Sequence, residues 1–220
     1  MITYMNNIEN YYDENYFNLY QKKIGEFGGK ANLFKFKKYI SKKDDVLDFG
    51  CGGGFLLNNL DCNYKAGIEI NPVARDFCKN HLGIDCFSSL NEIENEKFDV
   101  IITNHALEHC ERPYDIIKEL KNKLKIGGKI IIVVPLDSFK YKFKTEDVNK
   151  HLYSFSPMNL GNILLMNGFK NIETTNVLHK WPPMWLAIQK YFGWRLFHFL
   201  CLVYGHLNLY WSQTKAIATK

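Results

Sequence analysis

The segment Val46-Leu47-Asp48-Phe49-Gly50-Cys51-Gly52-Gly53-Gly54 is the part of the chain whose residue types most clearly predict ligand binding. Glycine tolerates a left-handed backbone, which costs other residues roughly 1–2 kcal/mol, and it lets a ligand approach the main chain. Asp48 lies before the first glycine, where a carboxylate opposes a pyrophosphate but suits a ligand with an amino group. Phe55 replaces the last glycine of the dinucleotide pattern GxGxxG, and no Walker lysine follows. The loop therefore predicts a ligand without phosphate.

Three histidines follow predicted strands, where a proton-transferring side chain is useful. His105 and His109 come after the strand Phe98–Thr103, and His151 comes after the strand Lys129–Pro135. Histidine has an unperturbed pKa of about 6.5, so it suits a general base near neutral pH. These three residues are the catalytic candidates. The alternative is a hydrogen-bonded structural role, which we favour for His109.

Acidic residues beside these histidines raise the question of a metal site. Glu108 is adjacent to His109, and Glu146 is adjacent to Asp147, so each pair could supply two ligands. Neither pair has a third ligand at a recognisable spacing. The six cysteines form no CxxC pair and no zinc-type His/Cys ladder. The sequence therefore predicts no metal and predicts reduced thiols, as in a cytoplasmic protein.

Strands and helices alternate along the chain from residue 44. The predicted strands are Val46–Phe49, Ala66–Ile70, Ile84–Phe87, Phe98–Thr103, Lys129–Pro135, Asn171–His179 and Lys215–Lys220. Asn71 and Ser156, each followed by proline, predict helix starts, and Gly127-Gly128 predicts the stop of a helix that runs to Leu124. Lys129–Pro135 is apolar on both faces, which is typical of a covered parallel strand. The pattern predicts a doubly wound α/β sheet with right-handed crossovers.

The order of these motifs resembles that of the class I S-adenosylmethionine-dependent methyltransferases over residues 44–179. VLDFGCGGG resembles the family's motif I, and EKFDVIITNHALEHC and LKIGGKIIIVVP resemble its fourth and fifth strand segments. S-adenosylmethionine carries an ammonium, a sulfonium and no phosphate, in agreement with Asp48. The resemblance implies a Rossmann-like seven-stranded sheet in the order 3-2-1-4-5-7-6, with strand 7 antiparallel.

The resemblance also implies which residues hold S-adenosylmethionine. Glu69, in GIEINP, stands where the family places the acidic residue that accepts both ribose hydroxyls. The implied cofactor-binding residues are Asp48, Gly50, Cys51, Gly52, Gly54, Glu69, Ile70, Ser89, Leu90 and Asn104. Two positions depart from the family pattern. Gly53 replaces a small polar residue or proline, and Ser88-Ser89 replace the aspartate that many relatives use for the adenine amino group, so backbone groups are the alternative contact there.

The later segment HLYSFSPMNLGNILLMNGF resembles a subgroup that methylates an oxygen of a small molecule or sugar. LEH and the aromatic segment described next support an alternative, a quinone-type lipid acceptor. A protein that binds S-adenosylmethionine without transfer is a third interpretation. An NAD oxidoreductase is disfavoured by Asp48 and Phe55.

The flanks of the core, residues 44–179, complete a single predicted domain over residues 1–220. Residues 1–43 predict a helical leader whose lysines form a solvated face. Residues 180–212 form an aromatic insert with Trp181, Trp185, Trp194 and Trp211, and its 3-to-4 spacing predicts a helix with one apolar face. The insert predicts core packing, a homodimer contact through 181–211, a substrate lid or a peripheral membrane surface. Residues 213–220 predict the last strand.

Composition limits the remaining possibilities. The 220 residues are 46% hydrophobic and 23% charged, as in a globular domain. The net charge of +5 is too mild to require a nucleic-acid partner. The first residues, MITYMNNIENYYDENY, lack the apolar core of a signal peptide, and no apolar run is long enough to span a bilayer. We therefore expect a cytoplasmic enzyme with a small-molecule acceptor, either a sugar or a lipid-linked compound.

Overall fold

The computed structural model describes Phe17 and residues 22–138, 140–147, 149–208 and 211–220. The part of the predicted helical leader before residue 22, Phe17 excepted, lies outside the described residues. Helix α1, Lys22–Asn32, is followed by two short 3-10 turns, Leu33–Lys35 and Lys37–Tyr39. The prediction that the lysines here form a solvated helix face is wrong at Lys35, which is 2% exposed.

Seven strands form one sheet in the order β3-β2-β1-β4-β5-β7-β6. The strands are β1 Asp45–Phe49, β2 Tyr64–Ile68, β3 Asp85–Phe87, β4 Phe98–Asn104, β5 Leu124–Asp137, β6 Lys170–Val177 and β7 Trp211–Thr219. Strands β1 to β5 pair with one another in parallel, and β7 runs antiparallel to both β5 and β6. The predicted Rossmann-like fold, strand order and antiparallel strand 7 are confirmed.

Helices connect these strands. They are α2 Phe55–Asn58, α3 Pro72–Leu82, α4 Pro113–Lys123, α5 Pro157–Met166 and α6 Trp185–Leu207. The Asn71 side chain accepts hydrogen bonds from the amides of Val73 and Ala74 at the start of α3, and the Ser156 side chain accepts one from Asn159 at the start of α5. Both predicted helix caps are therefore confirmed.

Alternate residues of the central strands enter two separate apolar layers. Ile101 and Ile130 belong to the layer that contains Phe98, whereas Ile102 and Ile131 belong to the opposite layer. All four isoleucines are fully buried. Because both faces are covered, the open part of the sheet is the edge at which β1, β2, β4 and β5 end, called here the carboxyl edge.

Three predicted boundaries are wrong for identifiable reasons. Strand β2 ends at Ile68, so Glu69 and Ile70 lie beyond the strand. Helix α4 ends at Lys123, and β5 begins at Leu124 because Leu124 pairs with Phe98 before a register shift. Gly127 and Gly128 therefore lie within β5, where Gly127 has a φ of 79°, and they do not end the helix. Strand β7 begins at Trp211, where it pairs with Asp137 at the end of β5, and not at residue 213.

The aromatic insert lies between β6 and β7, as predicted, and it packs against α1. The Phe27 ring of α1 lies 5.0 Å from Trp181, 4.3 Å from Trp185 and 5.1 Å from Trp194 between ring centroids. Helix α6 is interrupted at Gly193, where φ is 77°. Its other side leaves large apolar side chains exposed, namely Leu186, Tyr191, Phe192, Phe199, Leu202, Val203 and Leu207. The prediction of one apolar face is therefore wrong, because α6 has apolar residues on two sides. No helix within the described ranges has the length and apolarity needed to cross a membrane.

Two adjacent glycines of α1 test how closely this helix packs against α2. A Cβ at Gly29 would collide with the backbone carbonyl of Phe55, whereas a Cβ at Gly28 would meet only the Trp181 ring at 3.8 Å. We expect Gly29→Ala to destabilise the protein by about 1–3 kcal/mol through overpacking. Gly28→Ala is the matched control and should be neutral or stabilising by up to about 1 kcal/mol, because alanine favours a helix. Urea unfolding measures both, and equal stabilities would contradict the close approach of α1 to α2.

Candidate active site

The glycine loop leaves β1 at the carboxyl edge of the sheet. The amides of Gly50 and Cys51 donate to the Ile68 carbonyl at 2.9 and 3.0 Å. Gly50, Gly52 and Gly54 have φ values of 77°, 54° and 79°. A Cβ at Gly50 would collide with Ala106, which follows β4. Glycine is required here both for the left-handed backbone and for the close approach of the two segments.

Asp48 lies buried beneath this loop. Its Oδ1 atom has no hydrogen-bond partner among the described residues. Burial raises the pKa of this carboxyl well above its usual range, and Cys86 and Glu69 add to the effect. A buried carboxyl without a partner is unfavourable unless a ligand supplies one. The position therefore fits a cationic or donor group of a ligand.

Glu69 fixes the loop to the start of α3. Its Oε2 accepts the Gly52 amide at 2.7 Å, and its Oε1 accepts the Asn71 amide at 2.8 Å. Burial raises the pKa of Glu69, and the two backbone hydrogen bonds oppose that shift. The carbonyls of Glu69 and Ile70 both accept from Arg75 Nη1, at 2.7 and 3.2 Å. Ribose binding by Glu69 stays a prediction, but the residue also has a structural role that the sequence did not reveal.

The Cys51 side chain points away from any ligand that binds on the loop. Its Sγ atom lies 3.5 Å from Cys86 Sγ, and Cys78 completes a buried group of three thiols. A Cβ at Gly67 would collide with Cys51 Sγ, so the thiol fills the space that this glycine leaves. Cys51 thus offers a cofactor its backbone and not its side chain.

The predicted adenine-side residues have other partners in the fold. Glu92 Oε1 accepts from the Ser88 amide, the Ser88 hydroxyl and the Ser89 amide, at 2.8, 2.6 and 3.0 Å. The Leu90 side chain is buried in the apolar layer that contains Phe98. An adenine contact at Ser89 and Leu90 therefore stays a prediction, and for Leu90 it would involve the backbone.

Lys35 is a site residue that the sequence analysis missed. Its Nζ donates to Asn104 Oδ1 at 3.2 Å, at the end of β4. Burial and, less strongly, the nearby Lys215 lower the pKa of Lys35 to about 7, and Glu108 opposes this shift. The sequence did contain one indication of this burial, because Lys35 lies between Phe34 and Phe36 in an apolar segment whose lysines cannot all be exposed. The amine brings a titratable group from the leader to the carboxyl edge.

All three predicted histidines gather around one carboxylate, Glu108. His105 Nδ1 lies 3.4 Å and His109 Nε2 lies 3.8 Å from Glu108 Oε1. His151 is brought in by the chain after β5, because the amides of Leu152 and Tyr153 donate to the Glu108 carbonyl at 2.9 and 3.3 Å. The structure therefore unites residues more than 40 positions apart in the sequence.

Burial lowers the pKa of His109, with His151 and His105 adding to the shift and Glu108 opposing it. The His109 ring also makes a hydrogen bond with the backbone of Lys150. Glu146 and Asp147, the other acidic pair considered, belong to no ligand group among the described residues. The cluster at the end of β4 is thus a buried carboxylate surrounded by imidazoles.

The comparisons with known proteins decide the family. The profile of the methyltransferase domain family matches residues 12–174. The chain belongs to this family. The match begins well before residue 44, so the family's sequence pattern includes most of the leader as well as the predicted core.

The chain is also similar to individual proteins and to solved structures. An uncharacterized protein of Methanocaldococcus jannaschii is 31% identical over 160 residues, which are 69% of this chain and 76% of that protein. The mitochondrial ubiquinone biosynthesis O-methyltransferase of Schizosaccharomyces pombe is 27% identical over 58% of this chain, which spans about half (51%) of that relative's length. The crystal structure of a SAM-dependent methyltransferase from Archaeoglobus fulgidus covers 93% of this chain and 100% of its own, with 20% identity and a TM-score of 0.66. That likeness shows the shared fold.

Family and sheet order together make this methyltransferase a class I S-adenosylmethionine-dependent enzyme. S-adenosylmethionine is the cofactor that this family implies. The predicted family and enzyme class are confirmed. The small-molecule or sugar subgroup is not confirmed.

The buried amine of Lys35 predicts a pH-dependent stability. Because its pKa falls from 10.5 in the unfolded chain to about 7 in the fold, the unfolded state binds more protons between these values. Burying the protonated amine therefore lowers the free energy of unfolding most below pH 7, and this destabilisation declines toward about pH 10. We expect Lys35→Met to raise the melting temperature below pH 7, by roughly 2–4 °C per kcal/mol relieved, with the gain shrinking as pH rises.

Lys37→Met is the matched control, because Lys37 lies two residues away and is exposed. It should show no such pH trend. A Lys35→Met protein that is less stable than wild type at every pH would show that the bond to Asn104 outweighs the cost of burial. Calorimetric melting across the pH series measures both variants.

Proposed function

We propose that this methyltransferase transfers the methyl group of S-adenosylmethionine to a hydroxyl oxygen of an apolar, lipid-borne acceptor. The observation that carries the cofactor part is the buried Asp48 oxygen without a partner, beneath three glycines with positive φ. This arrangement suits a ligand that presents an ammonium and approaches the main chain closely.

The residues of the glycine loop would hold the methionine part, with Asp48 facing its ammonium. Glu69 would accept the ribose hydroxyls on the lone pairs that the amides of Gly52 and Asn71 leave available. Ile70, Ser89 and Leu90 lie farther along the carboxyl edge, at the ends of β2 and β3, and would flank the adenine. The bound cofactor supplies an electrophilic methyl group on its sulfonium.

The acceptor would lie over the end of β4, beside the loop. Gly50 contacts Ala106, which is the residue directly after His105. A hydroxyl placed there has Asn104, Lys35 and the imidazoles around Glu108 as its polar surroundings. Holding donor and acceptor in line is worth up to roughly 7–11 kcal/mol of the barrier. A group that accepts the hydroxyl proton adds about 10²–10⁴-fold.

Two observations favour a lipid-borne acceptor over a sugar. The exposed side of α6 presents Tyr191, Phe192, Phe199 and Leu207 to solvent. No aspartate or glutamate follows Glu173, while several lysines and one arginine do. An apolar face on a basic, acid-free segment suits an anionic lipid surface. The ubiquinone biosynthesis O-methyltransferase among the relatives supports the same acceptor class.

Asp48→Asn tests the assignment of the cofactor. The amide keeps the shape of the side chain but removes its negative charge, so we expect S-adenosylhomocysteine to bind about 1–3 kcal/mol more weakly by calorimetry. Binding of 5′-methylthioadenosine, which lacks the amino-acid part, should not change. Asp76→Asn, an exposed change on α3, is the control. Equal losses for both ligands would mean that Asp48 acts only through the loop's structure.

Vesicle flotation and a transfer assay test the acceptor class. The wild-type chain should float with phosphatidylglycerol vesicles and transfer labelled methyl from S-adenosylmethionine into the lipid extract of cells. The double variant Tyr191→Ser, Phe192→Ser should lose most flotation, because it removes exposed aromatic area from α6. The control pair Tyr141→Ser, Phe143→Ser is also exposed but lies elsewhere. A wild-type protein that forms a dimer and does not float with the vesicles would contradict the lipid-borne acceptor. A labelled product found only in the aqueous phase would contradict it as well.

A further inference from the structure

The cluster around Glu108 has the composition and compactness of a metal site. Glu108, His109 and His151 each offer one ligand atom, and these atoms lie within 4.8 Å of one another. His105 Nδ1 is 3.4 Å from Glu108 Oε1 and adds a third imidazole. Spacing in the sequence indicates no third ligand for Glu108 and His109, and the fold supplies one from residue 151.

The Glu108 carboxylate needs a cation. It is completely buried, and neither of its oxygens accepts a hydrogen bond from the part of the chain that the structure describes. Taking a carboxylate out of water is costly unless a hydrogen-bonded or charged partner compensates it. Lys35 is the nearest buried amine, but its hydrogen bond goes to Asn104. The space between Glu108 and the imidazoles is where a positive charge would relieve this cost.

Two of these histidines have a carboxylate or a backbone group beside the ring, and such partners orient metal-ligating histidines in other proteins. His151 Nδ1 lies 3.5 Å from Asp137 Oδ2, and the His109 ring makes a hydrogen bond with the Lys150 backbone. A ligating histidine almost always has such a carboxylate or backbone partner on its other nitrogen. His105 has a φ of 59°, which is costly for a residue with a Cβ, and its amide is held by the Val133 carbonyl at 2.8 Å. Strain of this kind concentrates at functional sites.

We propose that Glu108, His109 and His151 bind a divalent transition-metal ion, with His105 as a fourth ligand. One carboxylate and two or three imidazoles are the ligand set of Zn²⁺, Fe²⁺ and related ions, and hard oxygen-only ions do not prefer it. His105, His109 and His151 are 27%, 23% and 15% exposed, so an ion can enter and an acceptor oxygen can approach it.

The role of the ion in catalysis rests on the proposed function. An acceptor hydroxyl that meets a divalent cation loses its proton more readily, because the cation stabilises the oxyanion. The O–H bond then breaks with its proton passing to solvent, and an oxygen lone pair forms the new O–CH₃ bond. The C–S bond of the sulfonium breaks, and its electron pair stays on sulfur. No redox step is involved, so a redox-inactive ion suffices.

Metal binding is tested on the full chain without a histidine tag, after treatment with a chelator. We expect one Zn²⁺ per chain by calorimetry, and visible d–d absorption on loading with Co²⁺. His151→Ala and His109→Ala should each lose this binding, whereas the exposed His206→Ala should keep it. Asp137→Asn should weaken it about 10- to 100-fold, because this residue orients His151.

Cobalt also separates this cluster from the thiols of Cys51, Cys78 and Cys86, which could bind the same ion. Thiolate ligation gives an intense near-ultraviolet charge-transfer band, and a ligand set of imidazole and carboxylate does not. Such a band, or binding that survives both histidine substitutions, would overturn the assignment. So would absent Zn²⁺ and Co²⁺ binding in a chain that still binds S-adenosylhomocysteine. Loss of S-adenosylhomocysteine binding in a chain that holds one Zn²⁺ would instead overturn the proposed function and leave the metal site standing.

Discussion

Three carboxylates are buried at the carboxyl edge of this sheet. Each buried carboxylate needs hydrogen-bond donors or a positive charge beside it, and the structure around it depends on which groups provide them. Glu69 is satisfied by the chain itself, since two backbone amides donate to its oxygens. Asp48 and Glu108 each keep buried oxygens without a hydrogen bond from any described residue. Buried carboxylates of this kind are retained where a ligand completes them. The edge is therefore built to receive positive charge at two points, one under the glycine loop and one after β4.

The sheet keeps these two points at a constant separation. Strands β1, β4 and β5 are buried on both faces, and close packing of this kind leaves little freedom for the residues at their ends. The loop after β1 and the turn after β4 touch where Gly50 meets Ala106. A methyl donor held by the loop and an acceptor held over β4 would thus share a rigid frame, which is what in-line transfer requires.

The leader and the aromatic insert act on this site as one unit. Phe27 of α1 packs against the tryptophans of the insert, and the Phe34 and His179 rings lie tilted against each other with centroids 4.4 Å apart. Lys35 directly follows Phe34 and reaches Asn104 beside the histidines. The insert therefore packs against the segment that carries Lys35 to Asn104, although the two are remote in sequence. Burial also lowers the pKa of His179 to about 3, which keeps this imidazole neutral within the apolar packing.

The sequence by itself determined the fold and the segment that forms the glycine loop after β1. Patterns of neighbouring residues were sufficient for this. Apolar runs such as Lys129–Pro135 indicate buried parallel strands, and proline after Asn71 indicates a helix start. Asp48 and the glycines are so close in sequence that they form a single turn. Element ends were harder, because pairing between strands decided them, as where Leu124 joins Phe98 across the sheet.

The cluster around Glu108 and the burial of Lys35 were decided only by the tertiary structure. Glu108 became the centre of a cluster because the chain after β5 returns and hydrogen-bonds to its carbonyl, bringing His151 from a distant position. Lys35 looked like a surface residue because the local sequence does not show that Asn104 and Lys215, both remote in sequence, would lie beside it. The physical reason is the same in both cases: burial and charge compensation depend on groups that only long-range packing brings together.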